Sequence, residues 1–402
     1  MSKRVLITGV GVLSALGRGI DRTCDALRNE ESGIGEVTYL ATEHHEFPVG
    51  EVKFGNAEMA GELGVGFPES ELRTVLLGAL ALREAVGSAS LSDADIRGAA
   101  FVNGTTVGGM DLTERLFKEV YESEGASEST VNLEYNYCGI TTELTARHAG
   151  KFAFVTTSST ACSSGANAII LGAEMIKAGL YDIVVAGGAE SLSKFHLNGF
   201  NTLMILSQER CRPFDRDRNG INLGEGAAYL VLESEESARR RGATPLAELS
   251  GYGNACDAFH QTATSDNGEG AYRAMSEALA SAGLNPEDIG YVNAHGTGTP
   301  NNDICELAAM RRIWGNNLPR FSSTKSLTGH TTSASGAIEA AISILTLRKG
   351  LIPANAGFSN PIEAGAEPVK ETIHDAEVRH VVDNSFGFGG NDSSLIFSRY
   401  DD

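Results

Sequence analysis

The chain has 402 residues, 42% of them hydrophobic and 47 of them glycine, enough for one large core or two packed halves, which excludes a disordered chain. Its formal charge of −20 excludes broad, non-specific binding to nucleic acid or an anionic membrane, since both need a positive surface; a local basic patch stays open. Six cysteines, Cys24, Cys138, Cys162, Cys211, Cys256 and Cys305, are scattered without CxxC pairs, a pattern of reduced cytosolic thiols rather than of a disulfide scaffold.

The opening Met1-Ser2-Lys3-Arg4 before Val5-Leu6-Ile7 has the outline of a signal peptide, but Gly9, Gly11 and Ser14 interrupt the apolar run, so Val5–Gly9 reads as a buried first strand. Gly9-Val10-Gly11-Val12-Leu13-Ser14 nearly spells a dinucleotide fingerprint, yet it lacks the third glycine and a following ribose-binding acid. Glu43-His44-His45-Glu46 lacks a metal-site spacing and reads as a polar surface loop. A helix is expected over Leu72–Val86; its run Val75–Leu82 falls well short of the ~18 apolar residues that a membrane span requires. Strands follow at Ala99–Asn103 and Phe152–Thr157, then a helix over Ala166–Ala178 and strands at Ile183–Gly187 and Ala227–Glu233, an order that indicates α/β architecture.

Near Ser234–Gly242 a short charged helix ends in Arg239-Arg240-Arg241, a solvated helix end that complements the dipole, and marks a junction between residues 1–241 and 242–402. The second half restarts the first: Leu246-Ala247-Glu248-Leu249-Ser250-Gly251-Tyr252-Gly253 echoes Arg4-Val5-Leu6-Ile7-Thr8-Gly9-Val10-Gly11. A helix over Tyr272–Ala282 then leads to a strand at Tyr291–Ala294, as Leu72–Val86 leads to Ala99–Asn103, so a duplicated unit with reactive groups where the halves meet is expected.

Three segments carry chemistry. Cys162, in Thr160-Ala161-Cys162-Ser163-Ser164-Gly165, falls at a strand-to-helix turn, where the helix dipole should acidify a thiol below about 8.5. On spacing alone a buried structural cysteine is equally open. Asn293-Ala294-His295-Gly296-Thr297-Gly298-Thr299-Pro300 puts a histidine after a strand and before a helix over Asp303–Trp314. Ser323-Thr324-Lys325-Ser326-Leu327-Thr328-Gly329-His330 precedes a helix that bears Glu339. Two loop histidines flanked by Gly and Thr favour a site over two structural histidines.

With Ala186-Gly187-Gly188-Ala189-Glu190, Arg212-Pro213-Phe214-Asp215, Gly224-Glu225-Gly226-Ala227 and Asn384-Ser385-Phe386-Gly387-Phe388-Gly389-Gly390-Asn391, these segments resemble the elongating β-ketoacyl-acyl carrier protein synthases of the thiolase-like superfamily over nearly the whole chain. The resemblance implies an α/β, five-layered αβαβα fold of two similar halves, usually dimeric, and an acyltransferase. Cys162 would take an acyl chain from a carrier-protein thioester; malonyl carrier protein would then decarboxylate and its carbanion attack that chain. In this reading the catalytic set is Cys162, His295, His330, Lys325, Glu339 and Phe388, with His295 and His330 neutral donors to the enolate, Lys325 and Glu339 a buried organising pair, and Phe388 a gate whose N–H joins that of Cys162 at the oxyanion. Thr297, Thr299, Val107, Phe200 and Phe386 would bind substrate, Val107 lining the acyl pocket and the threonines the pantetheine arm, while Asp303 and Glu306 give structural support. No metal and no cofactor is implied beyond the carrier's phosphopantetheine. Partners would be an acyl carrier protein and a second copy of the chain or a chain-length-factor subunit; the location would be cytoplasmic.

The late Phe386-Gly387-Phe388-Gly389-Gly390 lacks the Cys-x-Gly of degradative thiolases, His330 stands where chain-initiating synthases have asparagine, and Cys162 is present where chain-length factors lack it. A non-catalytic docking subunit would have no use for the cysteine and both histidines together. The chain departs from the family where Leu206-Ser207-Gln208-Glu209-Arg210-Cys211-Arg212 replaces a longer loop, and after His330, where Thr331-Thr332-Ser333-Ala334-Ser335 is small and polar. Tyr135-Asn136-Tyr137-Cys138 is expected near the pocket floor at the dimer interface, where tyrosines that bind a short, unsaturated or partly polar chain and tyrosines that merely pack are equally open. Arg73 and Arg210 are expected to meet an acidic carrier protein.

Overall fold

A computed structural model describes residues 3–124 and 133–401 of the protein; Met1 and Ser2 of the opening segment lie outside the described residues. The first half of the chain contains β1 (Val5–Ser14), β2 (Gly17–Arg18), α1 (Ile20–Arg28), α2 (Asn56–Leu63), α3 (Arg73–Ser88), α4 (Asp93–Gly98), β3 (Ala100–Gly104), α5 (Met110–Glu122), α6 (Cys138–Arg147), β4 (Phe154–Ser158), α7 (Ser164–Lys177), β5 (Ile183–Glu190), α8 (Lys194–Thr202), β6 (Gly226–Ser234) and α9 (Glu235–Arg241). The second contains β7 (Ala247–Cys256), α10 (Glu269–Ala282), β8 (Tyr291–Asn293), α11 (Pro300–Trp314), β9 (Arg320–Ser322), α12 (Lys325–Thr328), α13 (Ser335–Lys349), β10 (His380–Gly387) and β11 (Asn391–Ser398).

Read outward from the centre, the strands run β1-β6-β5-β3-β4 on one side and β7-β11-β10-β8-β9 on the other. Strand for strand this is one topology used twice. In each set the first two pairings are antiparallel and the last two parallel, and the sets touch through Leu6 opposite Glu248 and Ile7 opposite Ala247. Helices α3 and α6 cover the outside of the first set, α10 and α11 the outside of the second, and α7 and α13 lie between them, giving five layers, αβαβα.

The inner helices can lie there because they are small and apolar on all sides. In α13 every residue from Ser335 to Leu347 is buried. At their crossing, a Cβ on Gly165 would stand 3.1 Å from the Ala337 Cβ, and one on Gly336 3.0 Å from the Ala166 Cβ. The Gly-x-Gly near the start proves to be a packing device. A Cβ on Gly9 would come within 2.6 Å of the Ala85 carbonyl oxygen of α3, and one on Gly11 within 2.1 Å of that of Ala81. Gly251 and Gly253 of β7 meet α10 the same way, at 2.4 Å from the Ala278 oxygen and 2.2 Å from that of Ala274. The echo between the halves is therefore a repeated strand-on-helix contact.

Of the arginine trio, Arg241 bonds Glu233, Arg239 pairs with Glu235 and Arg240 with Asp182, so each is engaged by a carboxylate of its own chain. Arg73 departs from expectation. It is buried, with its guanidinium on Glu225 and on the carbonyl oxygens of Val52 and Phe54, because the start of α3 needs a cation to balance the buried Glu225. It cannot meet a carrier protein at the surface; Arg210 is exposed and can.

Candidate active site

Cys162 sits on an elbow between β4 and α7. Ala161 is left-handed, at φ 53°, a conformation that costs an L-residue about 1–2 kcal/mol. Local bonds hold it: the Ser164 hydroxyl donates to the Ala161 carbonyl oxygen at 2.6 Å and accepts from the Thr160 N–H at 2.9 Å. The backbone thus turns Cys162 into the seam between the two sets of strands, next to the first N–H groups of α7.

His295 follows β8. Its N–H and that of Gly296 both donate to the Glu306 carboxylate of α11 at 2.8 Å, and Gly296, at φ 34°, could carry no side chain, since a Cβ would stand 2.5 Å from that of Ser323. Asp303 accepts from the N–H groups of Phe214 (2.7 Å) and Gly298 (3.2 Å), the support role expected of this acidic pair. Lys325 is wholly buried, its ammonium on Glu339 Oε1 at 2.5 Å and 3.4 Å from His295 Nδ1. His330 leaves α12 through a backbone ladder with Asn222 and Gly224 and places Nδ1 3.0 Å from the Ser335 hydroxyl. The two imidazoles stand edge to face, 5.4 Å between ring centroids. Glu190, whose motif was noted without a role, accepts from the hydroxyls of Thr105 and Ser333, tying the loop after β3 to the segment after His330.

These groups converge on a cavity of about 300 Å³ lined by Cys162, His295, His330, Thr297, Thr299, Phe200, Phe386 and Phe388. Phe200 and Phe388 stack at 5.6 Å, Phe386 lies 5.6 Å from the His295 ring, and the two threonine hydroxyls bond each other at 2.9 Å. The Phe388 N–H is directed at the Cys162 sulfur. Phe388 stands in the turn between β10 and β11, before Gly389 and Gly390 at φ 84° and 79°. Val107 lies outside this cavity, under the buried Glu190 carboxylate, and Tyr135 and Asn136 pack against the neighbouring Gly108-Gly109 turn rather than against it. The wall formed by Thr262, Ala263 and Thr264, between β7 and α10, had no sequence signal, being short, small and without a motif.

The thiol is not acidified as expected. Burial pushes Cys162 up to about 11, outweighing Lys325 and the Phe388 N–H, because desolvation acts on the whole thiolate and the helix start supplies only a partial charge. Both histidines are held well below their ordinary value by burial and then by Lys325, so they are neutral at pH 7. Burial raises Glu339 against the pull of Lys325, and Glu306 to about 7.

The doubled α/β unit with its reactive groups at the seam defines the thiolase-like class of condensing enzymes. Residues 2–238 match the beta-ketoacyl synthase N-terminal domain and 246–359 its C-terminal domain, and the chain belongs to that family. Over its full length it is 33% identical to 99% of the 3-oxoacyl-(acyl-carrier-protein) synthase 2 of Staphylococcus aureus strain COL. Two solved structures are also similar. The ishigamide ketosynthase/chain length factor matches at TM-score 0.92 and 33% identity, covering 100% of both chains. A type II PKS acyl-carrier protein in complex with its ketosynthase bound to the hexaketide matches at TM-score 0.87 and 26% identity, again over 100% of both.

Proposed function

We propose that the protein is an elongating β-ketoacyl-acyl carrier protein synthase, in which Cys162 is the nucleophile and His295 and His330 stabilise the enolate. The observation that carries this reading is the meeting of all three side chains in one cavity, with the Phe388 N–H aimed at the sulfur.

In the first stage Cys162 Sγ bonds to the acyl carbonyl carbon and the bond to the carrier's sulfur breaks. The thiol is protonated at rest, so its proton passes to the departing pantetheine sulfur as the new bond forms, and the carrier leaves as a thiol. The N–H groups of Cys162 and Phe388 hold the carbonyl oxygen while it is negative. In the second stage the malonyl carboxylate departs as carbon dioxide and its bonding electrons pass to the thioester oxygen. An ammonium has no lone pair to offer, so Lys325 makes His295 Nδ1 an acceptor and leaves the ring proton on Nε2 for that oxygen. The Ser335 hydroxyl, donating to Nδ1 of His330, does the same there. The carbanion attacks the acyl carbonyl, the Cys162–carbon bond breaks, and the thiolate regains a proton from solvent water. Phe388, stacked on Phe200, swings from glycine hinges to open the acyl side where Val107 lies.

Phosphopantetheine enters only as the substrate's arm, held at Thr297 and Thr299. The exposed Arg210 meets the acidic carrier protein. We divide the chain at residues 241 and 242 into a unit that bears the nucleophile and a unit that bears the histidines, and place it in the cytoplasm as a homodimer. The likeness to the ketosynthase/chain length factor favours a second reading, in which the partner is a chain-length-factor subunit. A native mass of twice 42.3 kDa for the protein alone supports the homodimer, and a monomer that dimerises only with a second gene product supports the other.

Intact-protein mass spectrometry tests the chemistry. Acyl carrier proteins of increasing length should leave an acyl adduct on Cys162, and malonyl carrier protein should discharge it as a β-ketoacyl product two carbons longer. An adduct that survives Cys162→Ala would refute the nucleophile.

A further inference from the structure

The Lys325–Glu339 pair has a third neighbour that the reaction leaves unused. Asp383 lies on β10 opposite Asn293 of β8 and is fully buried. Among the described residues no hydrogen bond reaches either of its carboxyl oxygens, nor Glu339 Oε2, Asn293 Oδ1 or the Ser385 hydroxyl. These atoms gather on one face of α13. Asn293 Nδ2 donates to the Glu339 carbonyl oxygen at 3.1 Å, and Ser385 Oγ would lie 2.3 Å from a Cβ on Gly336, one turn before Glu339. The titratable groups that face Asp383 are Glu339 from α13, Lys325 from α12 and Tyr291 from β8, while Glu306 of α11 faces Glu339.

One ammonium between two carboxylates would leave a buried negative charge without a partner, which is strongly destabilising. A proton on one carboxyl removes it and supplies an O–H for an orphaned acceptor. We infer that Asp383 is a positioning residue that holds this proton, so that the Lys325 charge is committed to Glu339 and His295 rather than divided between two carboxylates. Burial, and then the neighbouring Glu339, push the Asp383 carboxyl well above its ordinary value, which fits. The stabilisation that follows is complete below the ordinary carboxylate range and lost as pH rises through the folded value. The catalytic consequence rests on the proposed function; the proton itself does not.

Asp383→Asn imitates the protonated state. Infrared spectra at neutral pH should show a buried carboxylic-acid carbonyl band in the unsubstituted protein that is missing from the variant. Condensation at neutral pH should stay within about threefold, and its alkaline decline should weaken. Absence of the band from the difference spectrum overturns the inference, as does a folded variant that still acylates Cys162 but condenses at least about tenfold more slowly at neutral pH, since Asp383 would then act as a carboxylate. Stabilisation of the unsubstituted protein, and not of the variant, by potassium over choline also overturns it, because a cation rather than a proton would balance the site. If Asp383→Asn does not fold, Asp383→Ser serves for the same spectra. The infrared measurement needs no turnover, so failure of the proposed condensation would leave it intact.

Discussion

A cysteine at a helix start is a poor guide to its own acidity. The motif around Cys162 locates the proposed nucleophile, but its protonation depends on burial against the seam, which residues distant in sequence create. Alkylation of Cys162 should therefore be slow at neutral pH and rise as pH approaches about 11, and a rate already level at pH 7 would contradict the geometry. The histidines behave in the opposite sense. Lys325→Met should strand Glu339 as an unpaired buried group and cost about 3–5 kcal/mol of stability. It should also release His295 Nδ1, slowing malonyl decarboxylation more than acylation of Cys162; equal losses in both stages would argue for a merely structural lysine. Asp383 shows what a motif can hide. It stands one residue before Asn384-Ser385-Phe386, yet nothing in its sequence neighbours shows that it is buried opposite Asn293 of β8, within the field of Lys325; only the fold does.

Elements were legible where periodicity was strong and invisible where turns decide. The runs at 72–86, 166–178 and 272–282 match α3, α7 and α10 to within a few residues, because each buries one helical stripe or more. The β10–β11 hairpin was read only as a glycine-rich motif, although it carries Phe386 and places Phe388 in its turn, since glycine weakens any strand pattern. The repeat predicts matched sensitivities. Gly11→Ala and Gly253→Ala each drive a methyl into a helix carbonyl and should each lower stability by about 1–3 kcal/mol in denaturant titrations. Gly61→Ala in α2, where a Cβ meets nothing within 4 Å, should instead stabilise by roughly 0.5–1 kcal/mol. Tolerance at Gly253 with loss at Gly11 would mean that the halves share topology but not packing.

Across the molecule, buried titratable groups set a pH response. His295, His330 and His196 sit below their ordinary value, so the stability they lend is present above about 6.5 and lost on acidification. Glu306, raised to about 7, and Asp392, raised to about 8, act the other way: their contribution is present at low pH and lost as pH rises. Between about pH 6.5 and 8 these raised carboxyls govern the response, so the unfolding free energy should fall across that window, and a rise would contradict these burials. The site draws Cys162 from the elbow after β4 and its histidines from loops after β8 and β9, and is completed by the turn between β10 and β11. A nascent chain leaving the ribosome therefore exposes Cys162 long before it holds the Phe388 amide or either imidazole. Until the final hairpin zips onto β7, such a chain lacks the complete site, and if Cys162 is the nucleophile proposed above, a translation product arrested before Phe388 should take up no acyl groups from carrier protein.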